Sequence, residues 1–282
     1  MPTLREIKGR ISSVRSTLKI TSAMKLVSSS KLRRAQNAIE AMRPYQRQLD
    51  GILQSLLAAG ARIPESHVNP EAPLAVVAIS SNTSLCGGFN SSVIAKVKDV
   101  LAGNPGAIVY SAGRKVADAM RKAGFASPLN LNDLSEKPSY APVSELAGRL
   151  MEDFSEGRIS GVVLVYSHFV SASRQIPVAE QLLPASSAHS VEGGETEEND
   201  AIVEPSAPEM MASLFPKSVK LKMFTAFLDS AASEHAARTV AMQTATDNGE
   251  NLLSELTLIY NKTRQQRITT EILDLAGGKI EE

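Results

Sequence analysis

The stretch that decides the fold is Lys217–Ala276, KSVKLKMFTAFLDSAASEHAARTVAMQTATDNGENLLSELTLIYNKTRQQRITTEILDLA. It contains no proline and one glycine, Gly249. One face recurs at alternating steps of four and three residues: Phe224, Leu228, Ala231, His235, Arg238, Met242, Ala245, Gly249, Leu252, Leu256 and Ile259. This heptad seam predicts one long helix that packs along a partner helix. A helix of ~60 residues would span roughly 90 Å, more than a compact domain needs.

A second heptad seam runs through the N-terminal part of the chain. Its members are Ile7, Ile11, Val14, Leu18, Thr21, Lys25, Ser28, Leu32, Ala35, Ile39, Met42, Gln46, Leu49, Leu53 and Leu56. Pro2 and Thr3 suit a helix start, and Gly60 with Pro64 suits its end. Pro44 lies inside the pattern and predicts a kink, since the seam resumes in register after it.

Two long seams at opposite ends of one chain most simply pair with each other as an antiparallel coiled coil. The alternative is that each seam pairs with a second copy. Both seams turn polar midway, at Thr21, Lys25 and Ser28 in the first and at His235 and Arg238 in the second. Polar seam residues cost stability and set register or mark contacts with another molecule.

Between the seams the pattern changes to short β-branched runs that alternate with helical ones. The strand candidates are Leu74–Ile79, Ala107–Tyr110, Val162–Tyr166 and Ile176–Leu183, and the helix candidates are Asn90–Leu101, Gly113–Ala123 and Pro142–Phe154. This alternation predicts a largely parallel sheet with covered faces. The acidic stretch Ser186–Glu204 is expected to be a mobile loop. We therefore predict three segments: an N-terminal coiled-coil helix (1–60), an α/β domain (72–205) and a C-terminal coiled-coil helix (206–282).

Composition excludes several classes of protein. The 282 residues carry a formal net charge of zero, which gives no global reason to expect a nucleic-acid partner. The single cysteine, Cys86, excludes an internal disulfide. No apolar run reaches the ~18 residues that span a bilayer, and no signal peptide is evident, so we expect a soluble or peripheral protein.

No motif in the sequence gives strong evidence for a catalytic, nucleotide-binding or metal-binding site. Ser84–Asn90, SLCGGFN, follows a predicted strand but lacks the Gly-Lys-Ser/Thr of a phosphate loop, so it predicts a tight turn with Asn90 as the helix cap. Cys86 is interpreted as a small buried residue rather than a nucleophile. The four histidines show no metal-ligand spacing. These residues do not support catalysis, and we expect no catalytic residue, no cofactor and no metal.

Charge is uneven along the N-terminal helix. Its basic residues are Arg5, Lys8, Arg10, Arg15, Lys19, Lys25, Lys31, Arg33, Arg34, Arg43 and Arg47. Because stacking aromatics are scarce there, we favour an acidic protein partner, with nucleic acid second. At the other end, a polar collar (Asn261–Arg267, then Glu271) precedes an apolar tip (Ile272, Leu273 and Leu275). Such an end suits insertion into a protein sleeve, although an ordinary amphipathic helix end has a similar composition.

Three blocks of sequence resemble the gamma subunit family of F-type ATP synthases, over nearly the whole chain. They are ITSAMKLV at 20–27 with RPY at 43–45, LCGGFN at 85–90, and ATDN at 245–248 followed by YNKTRQ at 260–265 and ITTEI at 268–272. Two positions depart from the family pattern. Asn82-Thr83-Ser84 stands where the family often has an acidic-Arg-Gly sequence, and Lys279 where alanine is usual.

The resemblance implies a non-catalytic central rotor shaft that couples proton-driven c-ring rotation to ATP synthesis or hydrolysis in a ring of alpha and beta subunits. Its fold would be a long antiparallel coiled coil of the N- and C-terminal helices with an inserted Rossmann-like α/β domain. Its partners would be the alpha, beta and epsilon subunits and the c-ring. It would be peripheral, at the cytoplasmic face of the cell inner membrane.

The resemblance also implies roles for particular residues. Met24 and Lys25 would meet an acidic lever of the beta subunits. Arg264 and Gln265 would form a catch against loops of the ring, with Arg267 and Glu271 as further partner contacts. Ile272, Leu273 and Leu275 would lie in an apolar bearing, and the segment around Glu204 would approach the c-ring and epsilon. Two other hypotheses are a basic coiled-coil adaptor that binds nucleic acid and a small-ligand α/β enzyme with helical arms.

Overall fold

The structure is a computed structural model that describes residues 3–63, 69–125, 127–184, 204 and 206–277. Its elements are α1 (Leu4–Ala58), β1 (Leu74–Ile79), α2 (Phe89–Ala102), β2 (Ile108–Ala112), α3 (Arg114–Lys122), α4 (Asn132–Glu136), α5 (Tyr140–Ser155), β3 (Gly161–Ser171), β4 (Arg174–Leu183) and α6 (Ala207–Gly277). They form two compact units. We call Met1–Ser28 with Thr239–Glu282 the coiled-coil unit, and Ser29–Arg238 the sheet unit.

The sheet unit contains a four-stranded sheet in the order β2-β1-β3-β4. β1 lies parallel to both β2 and β3, with Val77 opposite Tyr110 on one side and Leu164 on the other. β4 returns antiparallel to β3, with Val165 opposite Ala179. The continuous apolar run of β1 is typical of a strand that is buried on both faces. The prediction of a largely parallel sheet is confirmed.

Alternate residues of β1 face two separate cores, because successive side chains of a strand point to opposite faces. Val76 and Ala78 pack with α2 and α3. Val77 packs with α5 and with the first half of α6, which contributes Met223 and Phe227. Burying an apolar side chain of this size stabilises by about 1.5–3 kcal/mol. α6 is therefore a structural part of the sheet unit as well as of the coiled-coil unit.

The two terminal helices pair antiparallel within the coiled-coil unit. Lys25 Nζ donates to Gln243 Oε1 at 2.8 Å. One turn earlier on α1, the hydroxyls of Thr21 and Thr246 lie 2.9 Å apart. A Cβ at Gly249 would lie 2.7 Å from Leu18 Cδ2, so the two helices approach closely there. In these three contacts the residue number on α1 rises as the residue number on α6 falls. The predicted intramolecular antiparallel pair is therefore confirmed.

The same pairing recurs in the sheet unit, where Leu56 of α1 packs with Met211 of α6. Just beyond, α1 ends with Gly60 in the left-handed region, at φ 87°. The amide of Ala61 donates to the carbonyl of Leu56 at 3.0 Å, a C-terminal cap that needs such a residue. α1 continues through Pro44 without ending.

Several details differ from the sequence predictions. β3 extends to Ser171, past the predicted end at Tyr166, because its last residues pair only with β4. The short helix α4 was not predicted. Asn90 is not a helix cap: α2 begins after Gly88, and Asn90 Oδ1 accepts from the Ser81 amide at 3.1 Å. Polar atoms within the turn thus use the side chain that would have capped the helix.

Three other predictions have different outcomes. Cys86 is buried, as expected. The predicted acidic loop Ser186–Glu204 lies outside the described residues, except for Glu204 itself. The predicted segment boundaries at 60, 72 and 205 stay a prediction.

Candidate functional site

Met24 and Lys25 lie together on α1, in the coiled-coil unit, and both are half-buried. The Lys25 ammonium donates one hydrogen bond to Gln243, whose amide nitrogen donates in turn to Asp247 Oδ1 at 2.7 Å. An ammonium has three N–H donors. Lys25 is therefore anchored to α6 and retains donors for an acidic group outside the pair.

Exposed apolar side chains surround this position. Ile20, Leu26 and Val27 are each more than half exposed, although they lie in the middle of a paired helix. Contiguous exposed apolar surface marks an interaction site. The side of α1 that faces away from α6 is thus suited to contact with another protein.

The collar residues lie near the end of α6, and all of them are exposed except Thr263, which is half-buried. Arg267 Nε and Glu271 Oε1 form an ion pair at 2.9 Å within one helical turn. Arg264 and Gln265 precede it on the same helix. An exposed i,i+4 pair adds only about 0.3–0.5 kcal/mol to the helix. The collar therefore presents directional donors and acceptors to its surroundings at little cost to its own order.

The apolar tip follows the collar. Ile272, Leu273 and Leu275 are 59%, 64% and 76% exposed, and Ile268 adds a fourth exposed apolar side chain one turn earlier. Four large apolar residues in the last turns of a helix form a surface that water solvates poorly. The exposed large apolar side chains of α6 are thus concentrated toward the described end of this helix.

Glu204 is exposed. Its chain neighbours on both sides lie outside the described residues, so its environment is not described.

Two polar side chains of α6 bind the backbone of β3 in the sheet unit. Asp229 Oδ1 accepts from the Phe169 amide at 2.9 Å, and Asp229 Oδ2 lies 2.5 Å from His168 Nδ1. Ser233 Oγ donates to the Ser167 carbonyl at 2.8 Å. Burial raises the pKa of Asp229, although the contacts from His168 and Phe169 lower it.

A buried ion pair lies one turn further along α6. Arg238 Nη1 and Glu234 Oε1 are 2.5 Å apart, and Arg238 Nη2 donates to Thr83 Oγ1 at 2.9 Å. Burial raises the pKa of Glu234, with Arg238 and Lys31 opposing the shift. Burial, aided by the same two cations, lowers the pKa of His235 to about 4, so His235 is neutral at pH 7.

Other features bear on the remaining hypotheses. The basic residues of α1 are exposed apart from Lys25, which is half-buried. In the part of the chain that the structure describes, no cluster of three or more His, Cys, Asp or Glu side chains is placed to hold a metal ion. None of the described helices combines the length and the apolar character that crossing a membrane requires.

Sequence reasoning found some of these residues and missed others. The polar seam positions Thr21, Lys25 and Arg238 were noticed because they interrupt an apolar repeat. Asp229 and Ser233 lie off the seam, where polar residues are ordinary, so only the placement of β3 against α6 identifies them. Their burial was the missing signal.

Comparison with known proteins agrees with this geometry. A family model described as ATP synthase matches residues 3–279. The ATP synthase gamma chain of Bacteroides thetaiotaomicron is 46% identical over 299 residues, covering 100% of both chains. That of Bacteroides fragilis strain ATCC 25285 is 47% identical over 290 residues, covering 99% of this chain and 100% of its own.

Solved structures show the same fold. A chain from the OSCP/F1/c-ring structure of the Euglena gracilis mitochondrial ATP synthase in rotational state 3 aligns with a TM-score of 0.68 and 21% identity, covering 98% of this chain and 93% of its own. A chain from the central stalk/c-ring structure of the Tetrahymena thermophila enzyme aligns with a TM-score of 0.57 and 22% identity, covering 80% and 99%. At this identity the likeness speaks to the fold, whereas the matches at 46% and 47% concern the family. The chain belongs to the ATP synthase gamma chain family.

Proposed function

We propose that this chain is the central rotor shaft of an F-type ATP synthase. It is a non-catalytic subunit, and it couples rotation of the c-ring to conformational change in a ring of alpha and beta subunits. The observation that carries the proposal is α6. It is one continuous helix that packs on the sheet in one unit, pairs with α1 in the other, and ends in an exposed apolar tip.

The physical basis of coupling is differential contact. A shaft whose sides differ makes different contacts with each catalytic subunit around it and so favours a different conformation in each. The exposed apolar residues of α1 and the polar residues of the collar are such differences. Rotation of the shaft then changes which subunit receives which contact.

Met24 and Lys25 are our candidates for contact with an acidic lever of the beta subunits. The support is the anchored ammonium of Lys25 with its remaining donors, flanked by exposed apolar side chains. A charge-assisted hydrogen bond from such a donor is stronger than a neutral one. Lys25→Gln removes the charge and keeps a polar side chain, which is one atom shorter.

The end of α6 is our candidate for the catch and the bearing. Arg264, Gln265, Arg267 and Glu271 provide directional hydrogen bonds, which favour particular angles. The apolar tip, Ile272, Leu273 and Leu275, provides non-directional contact that allows sliding inside an apolar sleeve.

The α/β domain is our candidate for the foot, with the segment around Glu204 near the c-ring and the epsilon subunit. The complex is membrane-associated, and we place this chain at the cytoplasmic face of the cell inner membrane, held there through its partners. We also propose the three segments 1–60, 72–205 and 206–282 as the working division of the chain.

The test is co-expression with the alpha and beta subunits, followed by single-molecule rotation of a bead attached to the α/β domain. We expect an ATPase-active complex that rotates in three steps. A ring that assembles equally well without this chain, and shows no stepped rotation with it, would overturn the proposal.

Leu256→Pro tests whether the shaft must be one continuous helix. Leu256 is buried inside α6, and proline there costs roughly 3 kcal/mol or more locally. We expect this variant not to insert stably, whereas Leu256→Ala, which keeps the helix, should still assemble. Normal rotation by the proline variant would argue against a continuous shaft.

A further inference from the structure

One buried stretch in the first half of α6 consists of small side chains. Ser230–Ser233 reads SAAS, and all four residues are buried. Small side chains give shallow ridges, and apolar contact is non-directional, so packing alone resists turning of this stretch weakly. A shaft that receives torque from the sheet unit needs stronger fixation here.

The polar contacts of α6 provide that fixation on one side. β1 pairs with β3 only as far as Val165. Beyond it, β3 continues with one edge that β1 does not cover, and backbone groups along a buried edge need partners. Ser233 Oγ donates a hydrogen bond to the Ser167 carbonyl, and Asp229 Oδ1 accepts one from the Phe169 amide. Residues two apart in a strand direct these groups to the same edge, so one turn of α6 caps both.

Arg238 acts on the other side of the helix. It follows Asp229 by nine positions, which at ~100° per residue places the two about half a turn apart around the axis. Its guanidinium bonds Glu234 with one nitrogen and Thr83, in the loop after β1, with another. The planar fork of arginine fixes both directions at once.

We propose that Asp229, Ser233 and Arg238 are positioning residues that key α6 against rotation about its own axis. Torque applied to the sheet unit then enters α6 through these directional hydrogen bonds from two sides. The inference rests on the shaft function proposed above and assigns it to particular side chains. Thr83, where the family often has an acidic-Arg-Gly sequence, is the loop partner in this chain.

The test compares two variants of the assembled complex. Thr83→Val with Ser233→Ala removes one key from each side of α6. Thr225→Val is the matched control, because Thr225 Oγ1 donates to the Leu221 carbonyl within the same helix. Both variants are measured by the torsional fluctuation of a bead on the α/β domain with the catalytic ring fixed, and by protons pumped per ATP hydrolysed.

We expect wider torsional fluctuation and fewer protons pumped per ATP in the double variant Thr83→Val with Ser233→Ala. Its ATPase rate without load should be unchanged. Each lost hydrogen bond should raise the population of states in which α6 has turned about its own axis by about fivefold. Asp229→Asn keeps the acceptor for Phe169 and should retain normal stiffness. If the double variant fails to assemble, Ser233→Ala alone is compared with Thr225→Val and should show the smaller increase in torsional fluctuation expected for one lost hydrogen bond.

Equal torsional fluctuation in the double variant and in the Thr225→Val control would overturn this proposal, even if both complexes rotate normally. Failure of the shaft function itself would look different, because the unmodified chain would then not rotate at all.

Discussion

Two stretches of α6 contrast sharply, although they belong to one helix. Phe227–Glu234 is buried at every position, while Arg264–Ala276 is exposed at every position. Both contain apolar and charged residues. The difference lies in where their partners are: the first stretch finds them inside the chain, and the second presents its side chains outward. In this helix, burial rather than composition distinguishes the stretch that packs inside the chain from the stretch whose side chains are exposed.

Two ion pairs that lie within α6 make the contrast quantitative. Glu234–Arg238 and Arg267–Glu271 share the i,i+4 spacing. The side chains of the first pair are about a tenth exposed (11% and 9%), and those of the second are 66% and 60% exposed. An exposed pair contributes about 0–1 kcal/mol, whereas removing one partner of a buried pair costs about 3–5 kcal/mol.

The largest expected effect comes from the core of the buried stretch. Phe227→Ala should lower the free energy of unfolding by about 3–5 kcal/mol, because it leaves a cavity where the helix packs on the sheet. Urea denaturation of the isolated chain measures it. Phe169→Ala, at a half-buried position, is the control and should cost less. A loss below that of the control would contradict the close packing of α6 on the sheet.

The second prediction breaks the ion pairs in parallel. Arg238→Met should cost about 3 kcal/mol or more at pH 7, because Glu234 then remains buried without its main cation. Arg267→Met should cost less than about 1 kcal/mol. Denaturant midpoints of the two variants under one set of conditions decide the matter. Equal losses would mean that burial does not make the first pair matter more to stability than the second.

How much of this could be predicted from sequence follows from the range of each signal. Heptad seams and β-branched runs are local patterns, so the long helices and the four strands were found. The prediction that Asn90 caps α2 was wrong, because its side chain instead accepts a hydrogen bond from the Ser81 amide. The contacts of Asp229 and Arg238 join residues far apart in the chain, at Phe169 and Thr83, which no periodicity encodes.

The third prediction uses pH. His235 has its pKa lowered from 6.5 to about 4 by burial and by Arg238 and Lys31, so the unfolded chain takes up a proton before the folded chain does. Stability supplied by neutral His235 is therefore complete above pH 6.5 and is lost as pH falls toward 4. Relative to His235→Gln, the unmodified chain should lose about 2 kcal/mol between pH 7 and pH 5.

Unfolding curves of both proteins across this range provide the measurement. The raised pKa values of Asp229 and Glu234 act in the opposite direction, stabilising the fold as pH falls, but both proteins contain them. Their effect cancels in the difference. Parallel pH profiles would show that His235 is not held neutral by its surroundings.

The smallest expected effect on stability is at the exposed end. Leu275→Ala should change the free energy of unfolding of the isolated chain by no more than about 0.5 kcal/mol, because the side chain is 76% exposed and packs on little. In the assembled complex the same variant should weaken the hold of the ring on the shaft, because an apolar contact with a partner is lost. The exposed Glu255→Ala, on α6 before the collar, is the control for losing a long side chain without losing apolar surface. Dissociation of the complex under dilution measures the effect. A Leu275→Ala chain that dissociates no faster than the Glu255→Ala chain would mean that the tip is exposed without being a bearing, and that the contrast between the two stretches of α6 concerns stability alone.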